Sequence, residues 1–209
     1  MNSRSHGHLT AKRLGPLAAL AVLAMGLTIA QFPLQAASLE WADVNTDGDF
    51  FTAANWNDAT TGTPAGAPPA NGDTIVMGAG SYTAAMNGNF APANMDIATG
   101  ARLAAKGSLN WTTSGGVYEN AGTITFSDAD RSWQLEDSSF TNSGVVEADA
   151  VTVTWRTETD YAIANSGGTI RAVNGGTLHG ARWAGGHGQG WTMAGGTLST
   201  DADSTIQLQ

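Results

Sequence analysis

The sequence predicts an all-β fold, a parallel β-helix (β-solenoid), on three observations. A short stretch recurs with its asparagines 22 and 23 residues apart, in the copies Asn120-Ala-Gly-Thr-Ile124, Asn142-Ser-Gly-Val-Val146 and Asn165-Ser-Gly-Gly-Thr-Ile170. A turn signal before a β-branched strand, repeated at such a period, is typical of solenoid coils. Residues 72–209 alternate β-branched runs with Gly, Asn, Ser and Thr, and no segment beyond residue 37 has a capped helical period. We expect about six coils in this region, a stack ~30 Å tall.

Residues 1–37 have the layout of a secretory signal peptide. A basic segment at residues 4–13 precedes an apolar run at residues 14–30, and the small residues Ala36 and Ala37 follow. This layout predicts cleavage after Ala36 or Ala37, and a secreted, extracellular or cell-surface location. The alternative is an uncleaved membrane anchor, but the run is short for a span, which needs ~20 residues. After cleavage we do not expect an integral membrane protein.

Removal of the signal peptide makes the chain strongly acidic. Arg4, Lys12 and Arg13 leave with it, so six of the nine basic residues remain against 18 acidic ones, a net charge of −12. Such a surface repels phosphate backbones, so nucleic acid is not an expected partner. The chain has no cysteine. Disulfides, zinc thiolate sites and cysteine nucleophiles are therefore excluded, and we expect no cofactor.

Residues 38–71 form a turn-rich capping segment ahead of the solenoid proper at residues 72–209. The start of the chain contains Trp41, then Asp47-Gly-Asp-Phe-Phe-Thr-Ala-Ala-Asn-Trp56, then Pro68-Pro-Ala-Asn-Gly-Asp-Thr-Ile-Val76. This succession resembles the start of autotransporter-type passengers and other repetitive secreted bacterial β-solenoids, with an "A-A-N-W … P … G-D-T-I-V" motif. The resemblance covers nearly all residues after 37. It implies a right-handed parallel β-helix at or outside the cell surface, usually without known catalysis. Phe50-Phe51 departs from the pattern, because a tryptophan is more usual there.

Strands are predicted at residues 73–77, 122–126, 132–135, 144–155, 168–173, 177–178, 196–198 and 204–208. Stacked coils would bring Ile124, Val146 and Ile170 into one interior ladder at ~4.8 Å spacing. The asparagines of the repeat would share a corner, where they tolerate a left-handed φ and their side-chain amides bond up the stack. The extra glycine in the third copy predicts a bulge. A second repeat, in Asn174-Gly-Gly-Thr-Leu178 and Ala194-Gly-Gly-Thr-Leu198, predicts a further corner.

Alternation within the predicted strand 144–155 assigns its side chains to two faces. Val146, Ala148 and Ala150 would point inward, while Val145, Glu147, Asp149 and Val151 would point outward. Both acids would then lie in water. They would also be ~6.6 Å apart along one face.

The acidic stretch at residues 43–49 matches half of a calcium loop. Asp43, Asn45, Asp47 and Asp49 take its odd positions and Gly48 the sixth. The bidentate acid of the twelfth position is missing, because Ala54 stands there. The alternative is an acidic turn of the capping segment. We therefore assign no metal site and keep these four residues as the calcium candidate.

Other candidate sites have incomplete chemistry. His179, Arg182 and His187 lie in a glycine-rich stretch that predicts a loop rather than a metal site. No serine lies in a nucleophile motif, so we assign no catalytic residue. Two carboxylates ~5–9 Å apart suffice for glycoside cleavage, and Glu147 with Asp149 would satisfy that distance. Exposed tryptophans stack on sugar rings, which makes Trp155, Trp183 and Trp191 candidates for sugar contacts.

The sequence thus predicts a secreted or cell-surface, non-enzymatic β-solenoid that serves as a structural or adhesive module. Its expected partners are surface polysaccharide or other extracellular and surface proteins. The alternative is a carbohydrate-binding or polysaccharide-cleaving β-helix, either a lyase or a glycoside hydrolase. Exposed tryptophans beside clustered carboxylates would favour that alternative. Buried tryptophans and scattered acids would favour the scaffold.

Overall fold

Three β-sheets wind around one apolar interior in the computed structural model, which describes residues 36–42, 48–106, 110–136, 138–157, 163–182 and 192–208. The strands are β1 (Ser38–Trp41), β2 (Trp56–Asp58), β3 (Thr74–Met77), β4 (Tyr82–Met86), β5 (Asn94–Ile97), β6 (Ala101–Lys106), β7 (Asn110–Ser114), β8 (Val117–Asn120), β9 (Thr123–Ser127), β10 (Arg131–Glu136), β11 (Ser139–Asn142), β12 (Val145–Asp149), β13 (Thr152–Thr157), β14 (Ile163–Ser166), β15 (Thr169–Val173), β16 (Thr177–Arg182), β17 (Thr192–Ala194), β18 (Thr197–Thr200) and β19 (Thr205–Leu208). One turn of 3₁₀ helix, Ala53–Asn55, precedes β2. Residues 1–35 of the predicted signal peptide lie outside the described residues.

The strands stack in three sheets. The first sheet has the order β17-β14-β11-β8-β5-β3-β1-β2, the second β18-β15-β12-β9-β6-β4, and the third β19-β16-β13-β10-β7. Every strand pairs in parallel with its neighbours except β1 with β2. The predicted β-solenoid is therefore confirmed. The predicted coil number is too high: the chain makes about four full turns between the first and last of the five strands in the third sheet.

The predicted interior ladder is confirmed. In the second sheet Val146 pairs with Ile124 on one side and with Ile170 on the other. All three side chains are at most 1% exposed. Because parallel strands pair ~4.8 Å apart, side chains at one register position stack directly upon each other. The repeat period seen in the sequence is thus the length of one coil.

The asparagines of the repeat form the predicted amide ladder at the corner between the first and second sheets. Asn120 Nδ2 donates to Asn142 Oδ1, and Asn142 Nδ2 donates to Asn165 Oδ1, each at 2.8 Å. The three residues are buried, at 0–1% exposure. Buried amides need such partners, since an unpaired one costs about 1–3 kcal/mol.

The prediction of a left-handed φ at these asparagines is wrong. They end or sit within extended strands, and the described non-glycine residues with a left-handed φ lie instead at the corner between the second and third sheets. There Asp128, Ala150 and Asn174 have φ values of 77°, 57° and 53°. The asparagines are needed at their own corner for hydrogen bonding, which an extended backbone allows.

A glycine stack accompanies the asparagine ladder. Val145 N–H donates to Gly122 O, and Thr169 N–H donates to Gly144 O, so the turns of successive coils touch through their backbones. A Cβ on Gly144 would lie 2.1 Å from Gly122 O. The extra glycine of the third copy, Gly167, has a φ of 79° and lies in the turn between β14 and β15. No bulge enters the strand, since Thr169 pairs with Val145 in register.

Residues 144–155 form two strands rather than the single predicted strand. The chain turns at Ala150, which is exposed rather than inward, and Val151 beyond the turn is buried rather than outward. The turn resets the alternation of faces. Glu147 is 7% exposed rather than solvated, although Val146 and Ala148 beside it point inward as predicted.

The second repeat does not mark one corner. Leu178 lies in β16 of the third sheet and pairs with Val153 and Ile206. Leu198 lies in β18 of the second sheet and pairs with Ile170. The glycines of the two Gly-Gly-Thr-Leu stretches therefore lie at different corners. Their spacing of 20 residues is not the length of one coil.

Aromatic side chains close the amino-terminal end of the interior. Trp56 is fully buried, and its Nε1 donates to Phe50 O at 2.7 Å. Its ring packs edge-on against Trp41 and Phe50, and Phe50 packs against Phe90. The antiparallel strand β2 covers the edge of the first sheet. At the other end Met193 and Leu208 are 38% and 46% exposed.

Candidate functional site

Glu147 and Asp149, the candidate acid pair on β12, are each engaged by the next coil. Glu147 Oε2 accepts from Arg171 Nε at 2.6 Å and lies 2.5 Å from Arg171 Nη2. This contact follows from the register, because Glu147 pairs with Arg171 across β12 and β15. The carboxylate of Glu147 therefore forms a charge-assisted contact between two successive coils.

Asp149 belongs to a chain of contacts along the corner between the second and third sheets. Asn174 Nδ2 donates to Asp149 Oδ1 at 2.7 Å, and Asn174 N–H donates to Asp201 Oδ2 at 2.5 Å. Hydrogen bonds from the Ser204 side chain and from Asn174 N–H lower the pKa of Asp201. One coil earlier, Asp130 Oδ1 accepts from Thr152 N–H at 2.6 Å. The acids at this corner thus join successive coils.

The calcium candidate lies mostly outside the described residues, since Asp43, Asn45 and Asp47 fall there. Asp49 is described, and its carboxylate accepts from Phe51 N–H at 3.0 Å and from Thr52 Oγ1 at 3.3 Å. These bonds shape the turn that directs Phe50 into the interior. Among the described residues, no group of three His, Asp or Glu side chains has the geometry to hold a metal ion.

Trp41, Trp56, Trp133 and Trp155 are part of the interior. Trp133 and Trp155 occupy one register position and stack with their ring centroids 4.6 Å apart at 11°. They are 0% and 1% exposed, so Trp155 offers no face to a sugar ring. Trp183 and Trp191, the other candidates for sugar contacts, lie outside the described residues.

The prediction that His179 and Arg182 lie in a glycine-rich loop is wrong. His179 and Arg182 belong to β16, and the backbone of His179 pairs with Thr154 and with Gln207. His187 lies outside the described residues. Thr177, His179 and Ala181 occupy alternate positions, as in a β-strand. The glycines before and within this segment favoured the interpretation as a loop.

Sequence reasoning missed a buried arginine. Arg131 is 6% exposed, its Nη1 donates to Ala105 O at 2.8 Å, and its guanidinium lies 5.4 Å from the centre of the Phe126 ring. Burial lowers its pKa, while Asp128 and Asp130 act in the opposite direction. The signal was the alternation in β10, where Arg131 shares the inward face with Trp133 and Leu135.

Charge is divided among the sheets. The strands of the first sheet contain Glu40, Asp58, Asp96 and Glu119 but no lysine or arginine. All six basic residues beyond residue 37 lie in strands of the second and third sheets, namely Arg102, Lys106, Arg131, Arg156, Arg171 and Arg182. The first sheet therefore presents an acidic outer face.

Comparisons of the chain with known protein families, with curated proteins and with solved structures find no significant match. Within the described ranges, no helix has the length and apolar character that crossing a membrane requires. The fold defines the class of the protein, a β-solenoid.

Proposed function

We propose that this chain is an exported β-solenoid with a structural or adhesive task at or beyond the cell surface, and that it is not an enzyme. The observation that carries the proposal is how its candidate catalytic groups are used. Glu147 holds Arg171, and Asp149 and Asp130 bond to later coils. Groups committed to joining coils serve the length and rigidity of the stack.

The buried tryptophan stack supports the same proposal. A sugar-binding solenoid presents aromatic faces to solvent, whereas Trp133 and Trp155 fill the interior. The predicted export signal and the "A-A-N-W … P … G-D-T-I-V" motif, which resembles the start of autotransporter-type passengers, support placement outside the cell. The partners we propose are surface polysaccharide or other extracellular and surface proteins, and not nucleic acid.

The location is tested with the full chain expressed in a Gram-negative host. Immunoblots of cytoplasm, periplasm, outer surface and medium should find the protein outside the inner membrane. Added protease should reach any surface-retained protein on intact cells. A protein confined to the cytoplasm would overturn the proposed location.

The absence of catalysis is tested with the purified exported chain and a panel of acidic and neutral polysaccharides. We expect neither reducing ends nor unsaturated ends to be released. Adhesion is measured in parallel by co-sedimentation with insoluble polysaccharides and with whole cells, and binding without cleavage supports the proposal. Turnover that is lost in both Glu147→Gln and Asp149→Asn would replace it with a polysaccharide-cleaving enzyme.

A further inference from the structure

The backbone N–H of Ala37 is hydrogen-bonded to the largely buried carboxylate of Asp73. Ala37 N–H donates to Asp73 Oδ1 at 2.8 Å, and Ala70 N–H donates to Asp73 Oδ2 at 2.8 Å. Asp73 is 7% exposed. The one salt bridge found among the described residues joins Arg171 and Glu147, so Asp73 has no cationic side chain as its partner there. A carboxylate withdrawn from water is usually paired with a positive charge.

We propose that Asp73 is the binding site for the amino terminus created when the chain is cut between Ala36 and Ala37. Hydrolysis of that peptide bond adds one water, leaving a carboxylate on Ala36 and an α-amino group on Ala37. The α-amino group takes up a proton at neutral pH. The donor at 2.8 Å from Asp73 Oδ1 thereby changes from an amide into an ammonium. This inference rests on the export that the proposed function assumes.

The geometry distinguishes between the two cleavage positions that the sequence predicts. A cut after Ala36 keeps the nitrogen of Ala37, and Ala37 O still accepts from Thr74 N–H at 2.8 Å. A cut after Ala37 removes this residue, so Asp73 Oδ1 loses its donor and Thr74 N–H its acceptor. Ala36 itself is exposed, so the bond that precedes Ala37 lies at the surface. The site therefore accepts a chain that begins at Ala37 and not one that begins at Ser38.

Cleavage at this bond would strengthen the end of the stack. Charge-assisted hydrogen bonds are roughly twice as strong as neutral ones, and more so where water is partly excluded. Asp73 precedes β3, and Ala37 precedes β1, its parallel neighbour in the first sheet. The ion pair would join the first strand of the mature chain to the parallel strand beside it in the same sheet. Removal of the leader then stabilises the folded protein instead of merely shortening it.

The cleavage position is tested by export of the full chain and measurement of the intact mass of the exported protein. We expect one species that begins at Ala37. An exported protein that begins at Ser38 would overturn this inference and leave the proposed function standing. An intact chain with Met1 retained in the cytoplasm would overturn both. Failure of the adhesion assay alone would count only against the proposed function.

The ion pair is tested by blocking the amino terminus. Lys106 is the single lysine beyond residue 37, so in a Lys106→Arg background N-hydroxysuccinimidyl acetate modifies only the α-amino group. Acetylation of the exported chain should lower its folding equilibrium constant about tenfold, measured by urea unfolding. In the double variant Lys106→Arg, Asp73→Asn, the same acetylation should change the folding equilibrium constant less than twofold.

The two proteins isolate the charge interaction from the hydrogen bond. Acetylation removes the positive charge of the amino group and leaves one N–H on Ala37 that can still donate to Asp73. Equal effects of acetylation on the Asp73 protein and on its Asp73→Asn variant would contradict the proposal. If Asp73→Asn does not fold, the first comparison still decides, because an unfolding midpoint unchanged by acetylation of the Asp73 protein would exclude the ion pair.

Discussion

Asn142 Nδ2 donates to Oδ1 of Asn165, its counterpart one coil further along, at 2.8 Å. Each amide of the ladder donates in one direction along the stack, and the ladder is limited by the neighbours at its two ends. Ile97 pairs with Asn120 at one end, and Met193 pairs with Asn165 at the other. The ladder therefore joins three coils, with Asn142 as its central member.

Replacing Asn142 by Ala should therefore destabilise the protein by about 2–4 kcal/mol. The change removes the acceptor of Asn120 Nδ2 and the donor to Asn165 Oδ1, and both remain buried. Urea unfolding of the exported chain measures the difference. Thr141→Ala, on the outward face of the same strand, should cost no more than about 0.5 kcal/mol. Similar losses in both variants would show that the ladder has no special contribution.

Val146→Asp should destabilise by several kcal/mol, because an unpaired charge would enter the interior between Ile124 and Ile170. Val145→Asp is the matched control one residue earlier. Its side chain points outward beside Thr123 and Thr169, so we expect a loss within about 1 kcal/mol. Thermal melting by circular dichroism compares the two variants. Equal shifts would be inconsistent with this register.

Gly144→Ala should be strongly destabilising although Gly144 has no left-handed φ. The new Cβ would lie 2.1 Å from the carbonyl oxygen of Gly122, so the turns of two coils would have to separate. We expect a loss of at least about 3 kcal/mol. Gly66→Ala is the control, because nothing lies within 4 Å of its Cβ position, and its effect should be neutral or slightly stabilising. A tolerated Gly144→Ala would mean that the coils are less closely stacked.

Asp58→Asn should reduce the loss of stability in acid. Backbone hydrogen bonds from Thr61 and Thr60 lower the pKa of Asp58. A carboxyl group with a lowered folded-state pKa stabilises above its unfolded pKa, about 3.9, and loses this contribution as the pH falls through the folded value. Melting temperatures from pH 2 to pH 7 should show the largest difference between the two proteins near neutrality. A difference independent of pH would rule out this linkage.

Chelation should leave the melting temperature of the exported chain nearly unchanged. The calcium candidate lacks a closing acid at Ala54, and the Asp49 carboxylate is already used by Phe51 N–H and Thr52 Oγ1. A ligand at 100 times its dissociation constant would contribute ~2.7 kcal/mol. A large drop with chelator, reversed by calcium and absent in Asp47→Asn, would instead establish a calcium site.

The sequence predicts the solenoid, the interior ladder and the asparagine ladder because all three depend on the coil period. Because the repeat has the length of one coil, it predicts that Val146 stacks beside Ile124 even when the conformation of the turns is unknown. The predictions that failed depend on where a corner falls. Alternation assigned Ala150 and Val151 to the wrong faces, since a left-handed residue at the corner resets the alternation.

Burial of the candidate acids depends on which residue follows one coil later. The alternation correctly places Glu147 on the opposite face of the strand from Val146. Glu147 is nevertheless largely buried, and its carboxylate contacts Arg171, 24 residues further along the chain. The Asp73–Ala37 contact lies outside any repeat, with its members 36 positions apart in the chain. Neither contact can be predicted from the sequence without the register of the strands. The repeated part of this chain is therefore far more predictable than its amino-terminal end.

The parallel stacking of the strands also determines how the protein responds to force. Hydrogen bonds between neighbouring strands run along the axis of the stack. Tension on β19 along that axis loads first the bonds between β19 and β16, then those of β18 with β15 and of β17 with β14, and only then those of the preceding coil. Each coil adds ~4.8 Å to the folded length, but its 22 or 23 residues would release about 80 Å when extended. We therefore expect such a stack to lengthen one coil at a time once tension exceeds what the bonds between two coils can bear, as an extensible tether does.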